Sequence, residues 1–486
     1  MQFDMMIIGG GPAGVSAALR ARELGATVAL IERGQMGGTC TNDGCVPTRV
    51  LAKTARLVRD ARQFQTYGLL AEPPQLDFTR VLARVRQVVT QIHEKKQVID
   101  HLAQAGVTVF ADVGTAHFVD PHTLALADGT TLQAKNFIIC AGGHARRLEF
   151  PGSEHTLTHS DVWSLPALPR SVVVVGGAAT GCQLASILSD FGVEVWLLDT
   201  AARILPAEDE LVSQTMTRRF QLQGIRVIPG IEAIKAIVPD AKFGLRLHYT
   251  QHGEERNIPI ASVIMAVGWV GNAEQLNLAA AQVETERSYI KVNDALQTSA
   301  PHIYAAGDIT GRMMLVQTGS QDAHVAAENA ILGVAQQRRS EIVPHGGFTD
   351  PEYGSVGLTE QQARDLSDCI VAEVPYTDLD RAVVDGRTEG FCKLIVDRET
   401  HQILGGHVVG EQAVEVVQLL AAGIAAGLRV EQLADLELAY PTFTAIVGSA
   451  ARQIVRELNL QPAVHGWRGL RPIRILPEEE EIQDAA

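Results

Sequence analysis

The feature that most constrains this chain is a glycine-punctuated pattern that occurs twice. Residues 5–8 form an apolar run of strand length, followed directly by Gly9-Gly10-Gly11-Pro12-Ala13-Gly14. An amphipathic stretch, 15–24, leads through Gly25 to a second apolar run, 27–31, which ends in Glu32. Strand, glycine turn, helix, strand and acid in that order make a βαβ unit of the dinucleotide-binding kind. The first glycine permits the tight turn, the second lets the backbone approach a pyrophosphate, and the third lets the helix pack close. The helix N-terminus then turns its unpaired N–H groups toward the anion. Gly9, Gly11 and Gly14 fill those places, and Glu32, 23 positions after Gly9, can accept hydrogen bonds from ribose hydroxyls.

The second copy begins 167 positions later. Residues 171–175 lead into Gly176-Gly177-Ala178-Ala179-Thr180-Gly181, a helix from Cys182, a run at 193–198, and Asp199. Two copies imply two nucleotide-binding domains. Ala178 stands where the second glycine belongs, so a methyl group crowds the pyrophosphate approach. Asp199 is the ribose acid, and the next basic residue is Arg203. An acid there favours the free 2′-OH of NADH over the 2′-phosphate of NADPH. A retained fold with weakened binding is the other reading of this copy.

Between the copies, Val81, Val85, Val88, Ile92, Ile99 and Leu102 predict helix across 78–105, and 108–132 reads as short strands. From about residue 341 the texture changes. Residues 390–396 and 403–409 read as a hairpin, followed by helices at 413–426 and 443–458. The tail from 460 carries Pro462, Gly466, Pro472 and Pro477 and ends acidic, which predicts an extended segment. Trp467, Arg468, Arg471 and Arg474 make it a possible surface for a protein partner.

Composition narrows the function classes. A net charge of −15 argues against a nucleic-acid binder, which needs clustered cations. Apolar residues at 46% suit large cores, but no run is long enough to predict a membrane span. The N-terminal run lacks a basic segment, a long apolar core and a cleavage site, so a cytoplasmic chain is expected. Six cysteines are too few for a disulfide-stapled secreted scaffold.

Two of those cysteines fall in Gly37-Gly38-Thr39-Cys40-Thr41-Asn42-Asp43-Gly44-Cys45-Val46-Pro47-Thr48-Arg49. On a regular helix, positions five apart have Cα atoms roughly 8.6 Å apart. A disulfide needs about 4.4–6.8 Å. A bridged pair therefore requires an irregular segment, and Gly44 supplies the freedom for one. Pro47 suits the first turn of a following helix, which places Cys45 at a helix N-terminus, where a thiolate is stabilised. No second ligand pair stands at zinc spacing. The pair reads as redox-active, with two unpaired buried thiols as the alternative. Cys140, Cys182, Cys369 and Cys392 read as small buried hydrophobes.

This constellation closely resembles the flavoprotein disulfide reductases, the class that includes glutathione reductase, lipoamide dehydrogenase and mercuric reductase. The resemblance covers residues 1 to about 458. It implies an α/β fold with two Rossmann-like dinucleotide-binding domains plus a C-terminal α+β dimerisation domain. The implied boundaries are 1–150 with 270–340 for FAD, 151–269 for NAD(P), 341–459 for dimerisation, and 460–486 as the tail. The run from Thr298 through Ala305-Ala306-Gly307-Asp308 resembles the second FAD motif, in which Asp308 would bond the ribityl chain. Phe348-Thr349-Asp350-Pro351-Glu352 resembles the start of the dimerisation domain. The resemblance further implies bound FAD, a homodimer, Cys45 as the flavin-proximal thiol and Cys40 as the thiol facing substrate. Gly38, Thr39, Gly142 and Gly268 fall at cofactor-contacting turns of the same pattern.

The departures are as informative. The family's His-Pro pair and following glutamate are replaced by Tyr440-Pro441 and Ala445. A tyrosine of pKa about 10 does not take up a proton at pH 7 as an imidazole does. Mercuric reductase also carries a tyrosine there, but it delivers metal with a C-terminal cysteine pair, and this chain has no cysteine after Cys392. The family's lysine near the flavin appears as Arg49 and its glutamate partner as Gln183, so an ion pair becomes at best a hydrogen bond. Gly268-Trp269-Val270-Gly271-Asn272 departs from Gly-Arg-x-Pro-Asn. The expectation is an oxidoreductase passing electrons from NADH (or NADPH) through FAD to Cys40–Cys45 and on to a small-molecule or protein disulfide, or a metal. Alternatives are mercuric-reductase-like metal reduction and a low-turnover redox sensor or interaction protein.

Overall fold

The structure, a computed structural model, describes residues 2–337 and 342–460. Apart from Leu460, the expected tail lies outside the described residues. The chain divides into two compact units, residues 1–354 and 355–486.

The first unit is built on two sheets, the first parallel except for two antiparallel strands at one edge, the second parallel throughout. In the first, β1 (Gln2–Ile8), α1 (Pro12–Glu23) and β2 (Val28–Ile31) form the leading βαβ unit. After it come α2 (Gly38–Asn42), α3 (Cys45–Arg62), α4 (Phe78–Lys96) and α5 (Val98–Gln104). Strands β3 (Val107–Phe110), β4 (His117–Asp120), β5 (Thr123–Ala125) and β6 (Thr131–Ile139) complete a sheet of order β3-β2-β1-β6-β5-β4. The strand Ile303–Ala305 adds to β6 in parallel. Met5, Met6 and Ile7 are fully buried, as expected for a strand covered on both faces.

The helical periodicity read across 78–105 resolves into two helices. Gln97 takes a left-handed conformation (φ 42°) between α4 and α5 and turns the chain without a glycine.

The second sheet repeats the plan. After β7 (Gly143–Ala145) come β8 (Thr156–Thr158) and α6 (His159–Val162), then β9 (Ser171–Val175), α7 (Ala179–Asp190) and β10 (Glu194–Leu198). The parallel order is Arg226–Ile228, β10, β9, Ser262–Met265, β8. The two copies match in register: Ile8 pairs with Ile31 at the end of the first, and Val175 with Leu198 at the end of the second. Helices α3 and α7 are tied near their C-terminal ends by Arg59, whose guanidinium meets the buried Asp190 carboxylate at 2.5 Å.

The second unit is α+β. Its expected hairpin is present as Phe391–Asp397 and Ile403–Gly410, paired antiparallel, and Cys369–Pro375 flanks it. The helices Ala413–Ala425 and Ala445–Glu457 follow. Val417, Leu420, Ile446, Val447 and Ile454 bury completely in this core.

Candidate active site

Glu32 and Asp199 close their glycine turns in the same way. Each follows the last paired residue of its strand. The Glu32 carboxylate accepts the Gly10 N–H at 2.6 Å and the Gly34 N–H at 2.9 Å. The Asp199 carboxylate accepts the Gly177 N–H, and the Ala201 N–H at 2.7 Å. The third glycines match too. A Cβ on Gly14 would lie 1.8 Å from the Gly9 carbonyl oxygen, and one on Gly181 would lie 1.8 Å from that of Gly176. Only hydrogen fits at either place.

The second positions differ in chemistry but not in backbone. Gly11 has φ −75° and ψ −178°, and Ala178 has φ −82° and ψ −173°. This is extended backbone that any residue adopts, so the Ala178 methyl costs the fold nothing and acts only on what approaches the turn. Nearby, Arg203 donates to the carbonyls of Leu205, Pro206 and Glu208 at 3.2, 2.8 and 2.9 Å. Its guanidinium is committed to closing its own loop.

The first glycine turn is the hub of the site. Gly38 opens α2 so close to it that a Cβ there would lie 2.9 Å from the Gly11 Cα. A Cβ on Gly307 would lie 3.3 Å from the Ala13 Cβ, which brings Asp308 to the same turn. Thr39 and Cys40 follow Gly38 on α2. The helical turn stops at Asp43, Gly44 takes φ −129° and ψ −102°, and α3 starts at Cys45 with Pro47 in its first turn. The segment is irregular at the expected glycine. Gly142 and Gly268 occupy turns with positive φ, and the Gly142 carbonyl accepts the Asn272 N–H at 3.1 Å.

Cys40 and Cys45 are free thiols in mutual hydrogen-bond contact, Cys40 half-buried and Cys45 exposed. The hydrogen bond from Cys40 and the Cys45 backbone N–H lower the Cys45 thiol to about 7. The same bond, with burial, pushes Cys40 far up. Cys45 is thereby the more acidic thiol of the pair, and Cys40 the one that keeps its proton. The charge of Asp308 bears on both, and burial raises the Asp308 carboxyl itself. The other four cysteines are buried, and burial pushes Cys140 and Cys392 up to about 12.

The residues present fit FAD. The open extended turn at Gly11, the closing acid Glu32 and the carboxylate of Asp308 form a cradle. Thr318, 3% exposed in the first turn of the helix Val316–Leu332, has an Oγ1 with no hydrogen-bond partner among the described residues.

Arg49 and Gln183, each the fifth residue of its helix, α3 and α7, are joined through a third residue. Gln183 Oε1 accepts the Phe348 N–H at 3.2 Å while its Nε2 donates to the Ala179 carbonyl at 3.1 Å. The Arg49 guanidinium lies 3.5 Å from the centroid of the Phe348 ring. Phe348 thus engages both side chains, one through its ring and the other through its N–H. Tyr440 belongs to the second unit. It is 76% exposed, and its Oη donates to Asp380 Oδ2. That carboxylate raises the phenol above its ordinary pKa of 10. The Tyr440-Pro441 bond is cis.

Known proteins share this plan. The family described as Pyridine nucleotide-disulphide oxidoreductase matches residues 3–323, and its dimerisation domain matches 343–451. The chain is 32% identical to dihydrolipoyl dehydrogenase of Zymomonas mobilis over 423 residues, 86% of this chain and 90% of the relative. It is 32% identical to mercuric reductase of Lysinibacillus sphaericus over 444 residues, 90% of this chain and 80% of the relative. A solved structure of the Cu(II) complex of HOCl-induced flavoprotein disulfide reductase RclA from Escherichia coli superposes with TM-score 0.82 at 26% identity. It covers 93% of this chain and 100% of that one. The chain belongs to the pyridine nucleotide-disulphide oxidoreductase family, the class I flavoprotein disulfide reductases, whose members use FAD and NAD(P)H. Among the described residues no helix is long and apolar enough to cross a membrane.

Phe348, Asp43, Thr318 and Asp380 are absent from the residues predicted from sequence. Asp43 carried a signal in its place between the two cysteines, and Phe348 in the motif that it opens.

Proposed function

We propose that this chain is a homodimeric, NADH-dependent oxidoreductase that carries electrons through FAD to the Cys40–Cys45 pair and on to a thiol-reactive or metal acceptor. The observation that carries the reading is the pair itself, two thiols in contact where α2 ends and α3 begins, with Cys45 the more acidic of the two. Bound FAD supplies two-electron exchange between a nicotinamide and this pair. Gly11 and the N-terminus of α1 receive its pyrophosphate, Glu32 its adenosine ribose, and Asp308 its ribityl hydroxyls. Cys45, the more acidic thiol, lies on the flavin side, and Cys40 keeps its proton and faces the acceptor. Asp199 receives the nicotinamide dinucleotide's ribose, and with Arg203 occupied by its own loop NADH is the donor.

The acceptor is not a standard small disulfide. Residue 440 is a phenol donating to a carboxylate and residue 445 is alanine, so neither takes the proton that a leaving thiol exchange must place. Mercuric reductases among the relatives and a copper complex among the structural neighbours favour a metal ion or metal–thiol adduct. Among the described residues no cluster of three or more His, Cys, Asp or Glu could hold a metal ion, and this reading assigns the contact to Cys40 and Cys45.

The test is an anaerobic titration of FAD-loaded protein with NADH and, separately, NADPH, followed by absorbance. Stoichiometric appearance of a long-wavelength thiolate–flavin band with NADH supports the path. Reduction by dithionite but by neither nucleotide would sink it. For the acceptor, Cys40→Ser must abolish NADH-dependent metal reduction.

A further inference from the structure

The four-residue loop between the active cysteines is held from both sides. On one side, Asn42 Oδ1 meets His93 Nε2 of α4 at 2.7 Å, and Asn42 Nδ2 donates to the Met36 carbonyl at 3.0 Å. On the other side stands a cluster that the electron path does not use. The Trp163 indole N–H lies 2.9 Å from Asp43 Oδ1 and 3.1 Å from the Asp43 carbonyl oxygen. Ser160 Oγ donates to Asp43 Oδ2 at 2.6 Å, and His159 Nε2 stands 3.4 Å from the same oxygen. His159 is 6% exposed, and the ring of Trp269 packs against it with centroids 5.0 Å apart. Trp269 is the residue that departs from the family's arginine, so that departure and the redox loop meet in one cluster.

We propose that Asp43 is a positioning residue for the Cys40–Cys45 pair, tethering the loop between the two sulfurs to α6 and Trp163. The inference rests on the reading that the pair cycles between dithiol and disulfide. The physical argument is entropic. Asp43 ends α2 and precedes Gly44, the most permissive residue of the loop. Untethered, that joint lets Cys40 and Cys45 sample many separations in the dithiol. With Asp43 fixed by three side chains and Asn42 by His93, the sulfurs stay in contact before the bond forms, so closure costs less conformational entropy. The tether therefore raises the effective concentration of one thiol at the other and stabilises the disulfide. Burial pushes the Asp43 carboxyl up, but His159 and Ser160 bring it net below its ordinary range, which suits a lasting acceptor.

The test is a thiol–disulfide equilibrium. Purified protein is equilibrated with mixtures of oxidised and reduced dithiothreitol, quenched by alkylation, and Cys40 and Cys45 are counted by mass spectrometry. In the step measured, the two thiols lose two electrons and two protons, and the cyclic disulfide of dithiothreitol gains them and opens. Asp43→Ala is expected to lower the effective concentration about tenfold, a shift of about 30 mV toward easier reduction for a two-electron couple. Trp163→Phe, which removes a donor from outside the loop, shifts it in the same direction by less. Asp43→Asn keeps one side-chain oxygen to accept from Trp163 and turns an amide N–H toward the Ser160 oxygen, so it shifts the equilibrium by less than Asp43→Ala. Thermal unfolding shows that each variant is folded where it is measured. An unmoved equilibrium in both Asp43→Ala and Trp163→Phe overturns the tether while leaving the redox pair intact. If the wild type forms no Cys40–Cys45 disulfide anywhere in the range, the underlying reading fails and the tether falls with it.

Discussion

The guanidinium of Arg49 lies 3.5 Å from the centroid of the Phe348 ring, and the backbone N–H of that same Phe348 is received by Gln183. Phe348 thereby joins the N-terminal halves of α3 and α7. A partly exposed cation–π contact contributes about 0.5–1 kcal/mol and a single hydrogen bond about 1 kcal/mol. Arg49→Gln and Gln183→Leu should each destabilise by about that much in denaturant unfolding. Because they share one partner, the double variant should fall short of or exceed the sum by at least about 0.5 kcal/mol. Strict additivity would show that Phe348 does not couple them.

The thiols should report themselves in alkylation kinetics. In reduced protein, a reactive thiol should titrate near 7 and map to Cys45 by mass spectrometry. Cys40→Ala removes the donor that lowers it, so the midpoint should move up. Cys40→Ser keeps a donor and should move it less. Cys140, Cys182, Cys369 and Cys392 are buried and should react only on unfolding. A Cys45 midpoint that ignores both substitutions would refute the paired assignment.

Nucleotide preference follows from Asp199 and Arg203. The reductive step should favour NADH over NADPH by at least about tenfold in kcat/KM, equivalent to about 1.4 kcal/mol. Asp199→Ser should narrow the ratio chiefly by improving NADPH. Equal use of both donors by the wild type would contradict the assignment.

His345 gives the first unit a pH-dependent contribution to stability. Burial alone would lower its imidazole, but the Glu208 carboxylate, 3.1 Å from Nε2, outweighs burial and holds the pKa above 6.5. A raised native pKa means that the stabilisation is fully present below the unfolded-state value, about 6.5. It is lost as pH rises through the higher native value. The stability difference between wild type and His345→Gln should therefore be largest in mildly acid solution and shrink above neutrality. A difference that grows with pH would reverse the sign and reject the pairing.

At position 440 a histidine should not by itself restore small-disulfide chemistry. Asp380 is placed for a phenol oxygen, and Ala445 offers an imidazole no carboxylate. Tyr440→His should leave glutathione and lipoamide turnover low, and a large gain in either would overturn this reading. Asp380→Asn should bring the Tyr440 phenol back toward 10 in an ultraviolet titration.

What could be read from sequence was local or periodic. Gly9 to Glu32 and Gly176 to Asp199 announce themselves because turn, helix and acid fall within one βαβ unit. Cys45 was placed at a helix start by Pro47, two residues away. The break at Gln97 was hidden, since apolar spacing continues through it and a non-glycine residue supplies the left-handed turn. Contacts across long separations were hidden as well. Asp43 meets residues 117 and 120 positions away, and Asp380 reaches Tyr440 across 60. No spacing rule identifies such partners, because sheet order and helix packing bring them together.

The shared backbone of Gly11 and Ala178 separates two properties that usually change together. Since both residues sit in the same extended conformation, the methyl at 178 is felt by the guest and not by the host. Dwell time at the second turn can therefore be tuned by one carbon without disturbing the scaffold. The first turn, bare of that carbon, suits a lodger that never leaves, and the second suits a courier that must come and go on every cycle.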